Sequence, residues 1–132
     1  MTKEMTVRTK KRNEFIDITG EVERIVEESG VNEGICTVFV PHTTAAVTIN
    51  EKADPNVARD IVNTLEKLVP YRGSYLHAEG NSDAHVKSSL VGASETILVS
   101  SGRLILGTWQ AVFFCEFDGP RTRRCIVSVN EH

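Results

Sequence analysis

The sequence lacks the marks of several protein classes. No apolar run approaches the roughly 20 residues that a membrane-crossing helix needs, so no membrane partner is expected. Positive charge is not in surplus either. Fifteen Lys and Arg against eighteen Asp and Glu give a formal net charge of -3 at pH 7, the wrong sign for neutralising nucleic-acid phosphates. The N-terminus is basic from Met1 to Arg12, but no long apolar block follows it, so a secretory signal is not expected and the cytoplasm is the default compartment. Cys36, Cys115 and Cys125 are an odd set without short paired spacing. They fit neither a disulfide framework nor a zinc ribbon, and their apolar surroundings suit buried, inert thiols. Internal repeats, low-complexity stretches and linkers are also missing.

What is present is ordinary for a globular protein: 132 residues, 40% hydrophobic and 25% charged. That length suits a single domain, residues 1–132, with one real core. Glu4 to Lys10 mixes Met5 and Val7 with Thr and charges, as an edge strand does. Thr19 before Glu21-Val22-Glu23-Arg24-Ile25-Val26, with Gly30 beyond, reads as a short helix capped by Thr19 and stopped by glycine. Gly34–Val40 and Thr44–Ile49 are β-branched strand candidates on either side of Pro41.

Asp54-Pro55 is the strongest helix start, because Asp caps free N–H groups and Pro lacks the one that would go unpaired. Val57, Ala58, Ile61, Val62, Leu65, Leu68 and Val69 then recur at helical spacing until Pro70. A Gly- and Ser-rich loop leads to a second short helix, capped by Ser82 or Asp83 and closed by Gly92. The remainder reads as two hairpins. Thr96–Val99 joins Arg103–Leu106 through Ser-Ser-Gly, and Ala111–Phe117 joins Arg124–Val129 through Asp118-Gly119-Pro120. Helices early and strands late predict an α+β fold with mixed or antiparallel sheets and two or three helices.

Chemistry-bearing residues concentrate between Leu76 and Leu90. His77, Glu79, Asn81, Asp83, His85, Lys87, Ser88 and Ser89 sit in a loop entering a helix. Two histidines across a flexible loop can converge on one ion, and imidazole with carboxylate suits zinc and its neighbours. The spacing matches no named metal motif, and a solvated loop with chance histidines remains an equal alternative. A helix beginning near Asp83 would also offer an anion site, supplemented by Lys87, Ser88 and Ser89. Against this, Asp83 itself could occupy those N–H groups.

His42, in Pro-His-Thr-Thr where two strands meet, is either a hydrogen-bonded corner or a ligand and acid–base group. Glu51 and Asp54 follow the second strand. Arg121, Arg123 and Arg124 could fork onto phosphate or merely solvate a turn. Trp109 could stack on a ring-shaped ligand or pack in an interface.

Taken together, these segments resemble the YjbQ family. The run Pro41-His42-Thr43-Thr44-Ala45, then Asn50-Glu51, Asp54-Pro55, His77-Ala78-Glu79-Gly80-Asn81 and Asp83-Ala84-His85 carries the resemblance. So do Gly107-Thr108-Trp109-Gln110 and Glu116-Phe117-Asp118-Gly119-Pro120-Arg121. The match keeps its order over nearly the whole chain. It implies a compact α+β fold, a homotrimer, and a secondary thiamine-phosphate synthase activity joining a pyrimidine methyl diphosphate to a thiazole phosphate with release of diphosphate.

On that resemblance His77, His85 and His42 become the expected ligands of a divalent metal ion, zinc or magnesium, or the acid–base groups, with Glu51 or Asp83 orienting them. Asn81, Lys87, Ser88, Ser89, Arg121, Arg124 and Trp109 are the expected contacts to a phosphorylated small-molecule substrate. A metal-dependent hydrolase of a phosphorylated metabolite, and a non-catalytic protein binding metal or phosphometabolite, stay open as alternatives.

Overall fold

A computed structural model describes all of Met1–His132. In chain order the elements are β1 (Thr2–Arg8), β2 (Glu14–Asp17), α1 (Thr19–Ser29), β3 (Gly34–Phe39), β4 (Ala45–Glu51), α2 (Pro55–Leu68), α3 (Ser82–Val91), β5 (Ser94–Ser100), β6 (Arg103–Leu104), β7 (Gln110–Glu116) and β8 (Thr122–Glu131). They form two antiparallel sheets, one of order β1-β8-β3-β5-β6 and one of order β2-β7-β4. The α+β expectation holds, with three helices and no parallel pair.

The larger sheet turns alternate residues inward: Cys36 and Val38 of β3, Ile97 and Val99 of β5, and Cys125, Val127 and Val129 of β8. They meet Val22, Ile25 and Val26 of α1 and Val47, Val112 and Phe114 of the smaller sheet in one core. The far face of the smaller sheet builds a second cluster, in which Ala46, Ala111, Phe113, Cys115 and Phe117 pack with Ala84 of α3. Strand β7 is therefore covered on both faces. That explains why Ala111–Glu116 reads as an unbroken buried run rather than an alternating one. Burial pushes the Cys36 thiol up to about 11 and the Cys125 thiol up to about 12, consistent with all three cysteines being free and buried.

Two local expectations are corrected. Residue Thr19 is not the cap of α1 but its first residue; Ile18 takes the cap position without a side-chain cap bond, and Asp17 just before it accepts through Oδ1 from Thr19 N (2.9 Å) and Thr19 Oγ1 (2.6 Å). The Thr19 hydroxyl oxygen in turn accepts from Val112 N at 2.9 Å, tying the helix start to β7. Second, β7 and β8 are not a hairpin, for they belong to different sheets. The intervening turn carries the chain across. It is held by Glu116, fully buried, whose carboxylate accepts from Arg123 Nε (2.9 Å), Thr9 Oγ1 (2.7 Å) and the backbone N–H groups of Phe117 and Asp118 (3.0 Å each). Gly119 is needed here because a Cβ would lie 2.2 Å from the Lys11 carbonyl oxygen. By contrast the β5–β6 hairpin forms as expected, although β6 is shorter.

The expected stop of α1 and start of α2 hold. Gly30 ends α1 with φ 69°. Asp54 Oδ1 accepts from Asn56 N at 2.9 Å, with Pro55 opening α2.

Candidate functional site

Helix α3 is short and oddly faced. Its buried residues are Ser82, Asp83, Ala84, Lys87 and Ser88, mostly polar, whereas Val86 and Leu90 are exposed. Neither Ser82 nor Asp83 caps it. Asn81 occupies the cap position without a side-chain cap bond, and its Nδ2 donates instead to Asp118 Oδ2 at 2.9 Å. The Asn81 Oδ1 is buried and has no partner.

At this end of α3 the two histidines meet. The rings of His77 and His85 stand edge to face with centroids 5.3 Å apart. His77 Nδ1 lies 2.9 Å from Ser82 Oγ, and its Nε2 lies 3.8 Å from Glu79 Oε2. If Nδ1 carries the proton, Ser82 accepts it and leaves Nε2 with a free lone pair, the arrangement by which outer partners orient a metal-binding or basic imidazole. The loop before α3 supplies His77, and the first turns of the helix supply Ser82 and His85, so the local fold alone brings the pair together.

The same helix carries a charge array. Asp83 is fully buried and takes a bidentate contact from Arg12, Nη1 to Oδ2 at 2.9 Å and Nη2 to Oδ1 at 3.0 Å. Lys87, also buried, reaches Asp83 Oδ2 at 3.3 Å and Asn13 Oδ1 at 3.1 Å. Burial alone would raise the Asp83 carboxyl. The Arg12 guanidinium and the Lys87 ammonium outweigh it and hold Asp83 below the ordinary carboxylate range. The Asp83 contact likewise raises Arg12. Arg12 also stacks on the Tyr71 ring, 3.8 Å from its centroid, which pins the start of the loop carrying His77.

The other expected residues are distributed more widely. Lys87 is spoken for by Asp83 and Asn13, so its ammonium is not presented to a ligand, because a buried cation keeps its counter-charges. Ser88 Oγ donates to Ala84 O (2.8 Å) and Ser89 Oγ to His85 O (2.9 Å), both bonds within α3. Arg121 pairs with Asp118 at 2.9 Å beside Asn81, while Arg124 pairs with Glu4 at 3.2 Å on the larger sheet.

His42 accepts from Arg124 N at 2.9 Å through Nε2. Burial first, then the nearby Arg123 and Arg124 charges, depress its pKa and favour the neutral ring. No hydrogen bond or ring contact joins His42 to His77 or His85 within the chain. Glu51 ends β4 opposite Gln110, and the exposed Trp109 precedes that pair in the turn before β7.

Within one chain the donors near His77 fall short of the three protein ligands usual for catalytic zinc. No group of three or more His, Cys, Asp or Glu side chains is arranged to hold a metal ion. A metal on the His77–His85 pair would thus need ligands from water, substrate or a second copy.

Residues Arg12, Asn13, Ser82 and Asp118 belong to the site and were not singled out from the sequence. The basic Lys10-Lys11-Arg12 run looks like a solvated loop, and only the fold shows that Arg12 reaches Asp83, 71 positions away.

The comparisons with known proteins agree over the whole chain. The family profile described as UPF0047 protein YjbQ-like matches residues 3–132. The chain belongs to the YjbQ/UPF0047 family. It is 53% identical to the UPF0047 protein of Methanocaldococcus jannaschii over 123 residues, covering 93% of this chain and 89% of that protein. With YugU of Bacillus subtilis it shares 50% identity over 130 residues, 98% of each chain. Among solved structures, a YjbQ/UPF0047 protein of Clostridium acetobutylicum superposes with a TM-score of 0.95 at 52% identity, over 96% of this chain and 98% of that one. A protein of unknown function from Sulfolobus solfataricus gives a TM-score of 0.96 at 36% identity, over 100% and 97%. These YjbQ-family relatives come from bacteria and archaea, and no helix of the chain is long and apolar enough to cross a membrane.

Proposed function

We propose that this YjbQ-family chain is a small-molecule enzyme acting on a phosphorylated metabolite, with His77 and His85 as its reactive centre. The observation that carries the reading is the edge-to-face imidazole pair, 5.3 Å between centroids, at the start of the helix that the buried Arg12–Asp83–Lys87 array anchors. Such an array fixes the first turn of α3 and so fixes the spacing of the two rings. The finer reading is transfer of the thiamine-phosphate synthase type. There a thiazole nitrogen forms a bond to the pyrimidine methyl carbon as the bond to diphosphate breaks, and no covalent enzyme nucleophile is required.

On this reading His77 and His85 would hold a divalent cation, zinc or magnesium, which would stabilise charge on the leaving diphosphate. Arg121 and Arg124 are half-exposed, and a phosphate would have to draw them from Asp118 and Glu4; a homotrimer would supply the ligands one chain does not, His42 among them. Hydrolysis of a phosphorylated metabolite is the second reading, favoured by the Ser82 hydroxyl 2.9 Å from His77 Nδ1.

The test is elemental analysis and product analysis of the native protein beside a His77→Ala, His85→Ala variant. The proposal expects about one metal per chain or per subunit interface, lost in the variant together with turnover. Diphosphate release that requires the thiazole phosphate selects transfer, and release without it selects hydrolysis. Metal content and turnover both unchanged in the variant would remove the histidine pair from the chemistry.

A further inference from the structure

Helix α2 stands off the smaller sheet. Although Val57, Ala58, Ile61, Val62 and Leu65 recur on one face, none of the 14 residues of the helix is buried. The gap between the helix and the sheet is a cavity of ≈ 600 Å³, inside the range of small-molecule sites, about 300–1,000 Å³. Two rings line it, Phe15 of β2 and Phe113 of β7, with centroids 6.0 Å apart and planes inclined at 37°. Ala58 and Val62 of α2 line it as well.

Its charges are lopsided in availability. Lys11, Lys52 and Arg59 line the cavity, and none of the three side chains has an ion-pair partner in the chain. Two of the four acids around it are already engaged. Glu14 Oε2 accepts from the backbone N–H groups of Lys10 (2.5 Å) and Lys11 (2.9 Å), and Asp17 Oδ1 accepts from Thr19 N and Oγ1. Glu51 and Glu66 are the remaining carboxylates. Two apolar rings on one side and three cations outside any ion pair, set among these four carboxylates, suit a ligand that is flat and apolar at one end and carries its anion toward the cations.

We propose that this cavity binds a small aromatic or heteroaromatic anion, its ring over Phe15 and Phe113 and its carboxylate or phosphate group against Arg59, Lys52 and Lys11. The ring contributes through stacking and burial, as aromatic pairs do. The anion contributes through charge-assisted bonds, for which Arg59 offers a bidentate fork. Asn13 also lines the cavity while its Oδ1 accepts from Lys87. A ligand here therefore abuts the Arg12–Asp83–Lys87 array through Asn13, yet the binding claim does not depend on the histidine pair being catalytic.

The experiment is titration of the full-length protein with phenyl phosphate and with benzoate, followed by amide chemical shifts in ¹H–¹⁵N spectra. Inorganic phosphate (no ring) and benzyl alcohol (no anion) serve as controls. Saturable shifts at Phe15, Val62 and Phe113 are expected with at least one ring anion, with both controls about tenfold weaker or more. Comparing phenyl phosphate with benzoate identifies the anion preferred. In Arg59→Gln, an exposed substitution, the affinity should fall about tenfold. Val62→Trp should fill the cavity and abolish the shifts while the spectrum stays dispersed.

No saturable shift with either ring anion overturns the proposal. So does equal binding of inorganic phosphate, or an Arg59→Gln variant that binds as well as the parent. Shifts absent while the Phe15 and Phe113 amides are shielded from exchange in a sedimenting oligomer would give this face to a second copy of the chain, and would overturn it too.

Discussion

Helices α2 and α3 follow one another along the chain and cover the same sheet, but they use opposite chemistry to do so. Helix α2 has a continuous apolar face and buries no residue. The shorter α3 lacks such a face and buries five residues, four of them polar. One helix has a hydrophobic stripe without a full partner; the other is anchored by an ion array in which Asp83 bridges Arg12 and Lys87. The lesson is that an apolar stripe decides that a segment is helical, whereas the partner across the gap decides how much it contributes.

The comparison breaks most readily at Asp83. Asp83→Ala leaves a buried Lys87 and the Arg12 guanidinium without their shared counter-charge, and the expected loss is about 3–5 kcal/mol in urea unfolding. A smaller loss in a Lys87→Met, Asp83→Ala double variant would assign much of that loss to the stranded ammonium. The same carboxylate sets a pH dependence. Its folded pKa is depressed, so its contribution is fully present above the ordinary carboxylate range near pH 4, and it is lost as pH falls through the folded value. Glu116 acts in the same direction, since Arg123, the Asp118 amide and the Thr9 hydroxyl outweigh its burial. Acid titration of stability should therefore be shallower in Asp83→Asn than in the parent.

Next in size is Ile25→Ala in α1, whose side chain sits in the main core and should cost about 2–4 kcal/mol by thermal or urea unfolding. Asp54→Ala removes the cap of α2 and should cost about 1 kcal/mol. Smallest is Ile61→Ala on the half-exposed face of α2, under about 1 kcal/mol. A larger loss that depends on protein concentration would mean that a second copy covers this face.

The sequence carried the parts of the fold that depend on neighbours along the chain. Asp54-Pro55, Gly30 and the Ser-Ser-Gly hairpin are local signals, and each stands where it was expected. The β7–β8 hairpin failed because its decisive group, Glu116, looks like any charged residue beside a turn. Its task is to draw Arg123 and Thr9 into the gap between two sheets. The candidate site divides in the same way. His77 and His85 are close in sequence and are brought together, whereas Arg12 reaches Asp83 from far away and left no periodic or motif signal. Lys87 was read as a phosphate contact because lysines usually reach water. Its burial follows from the Asp83 and Asn13 side chains, which only the folded chain places beside it.

Strand β1 pairs along its whole length with β8, Thr2 facing Ser128 and Arg8 facing Thr122. During synthesis, then, β1 has no partner strand in this sheet until some 120 further residues have emerged. Its backbone N–H and C=O ladder stays unpaired over that interval. In that strand Lys3, Glu4 and Arg8 flank Met5 and Val7, and flanking charges of this kind disfavour edge-to-edge pairing.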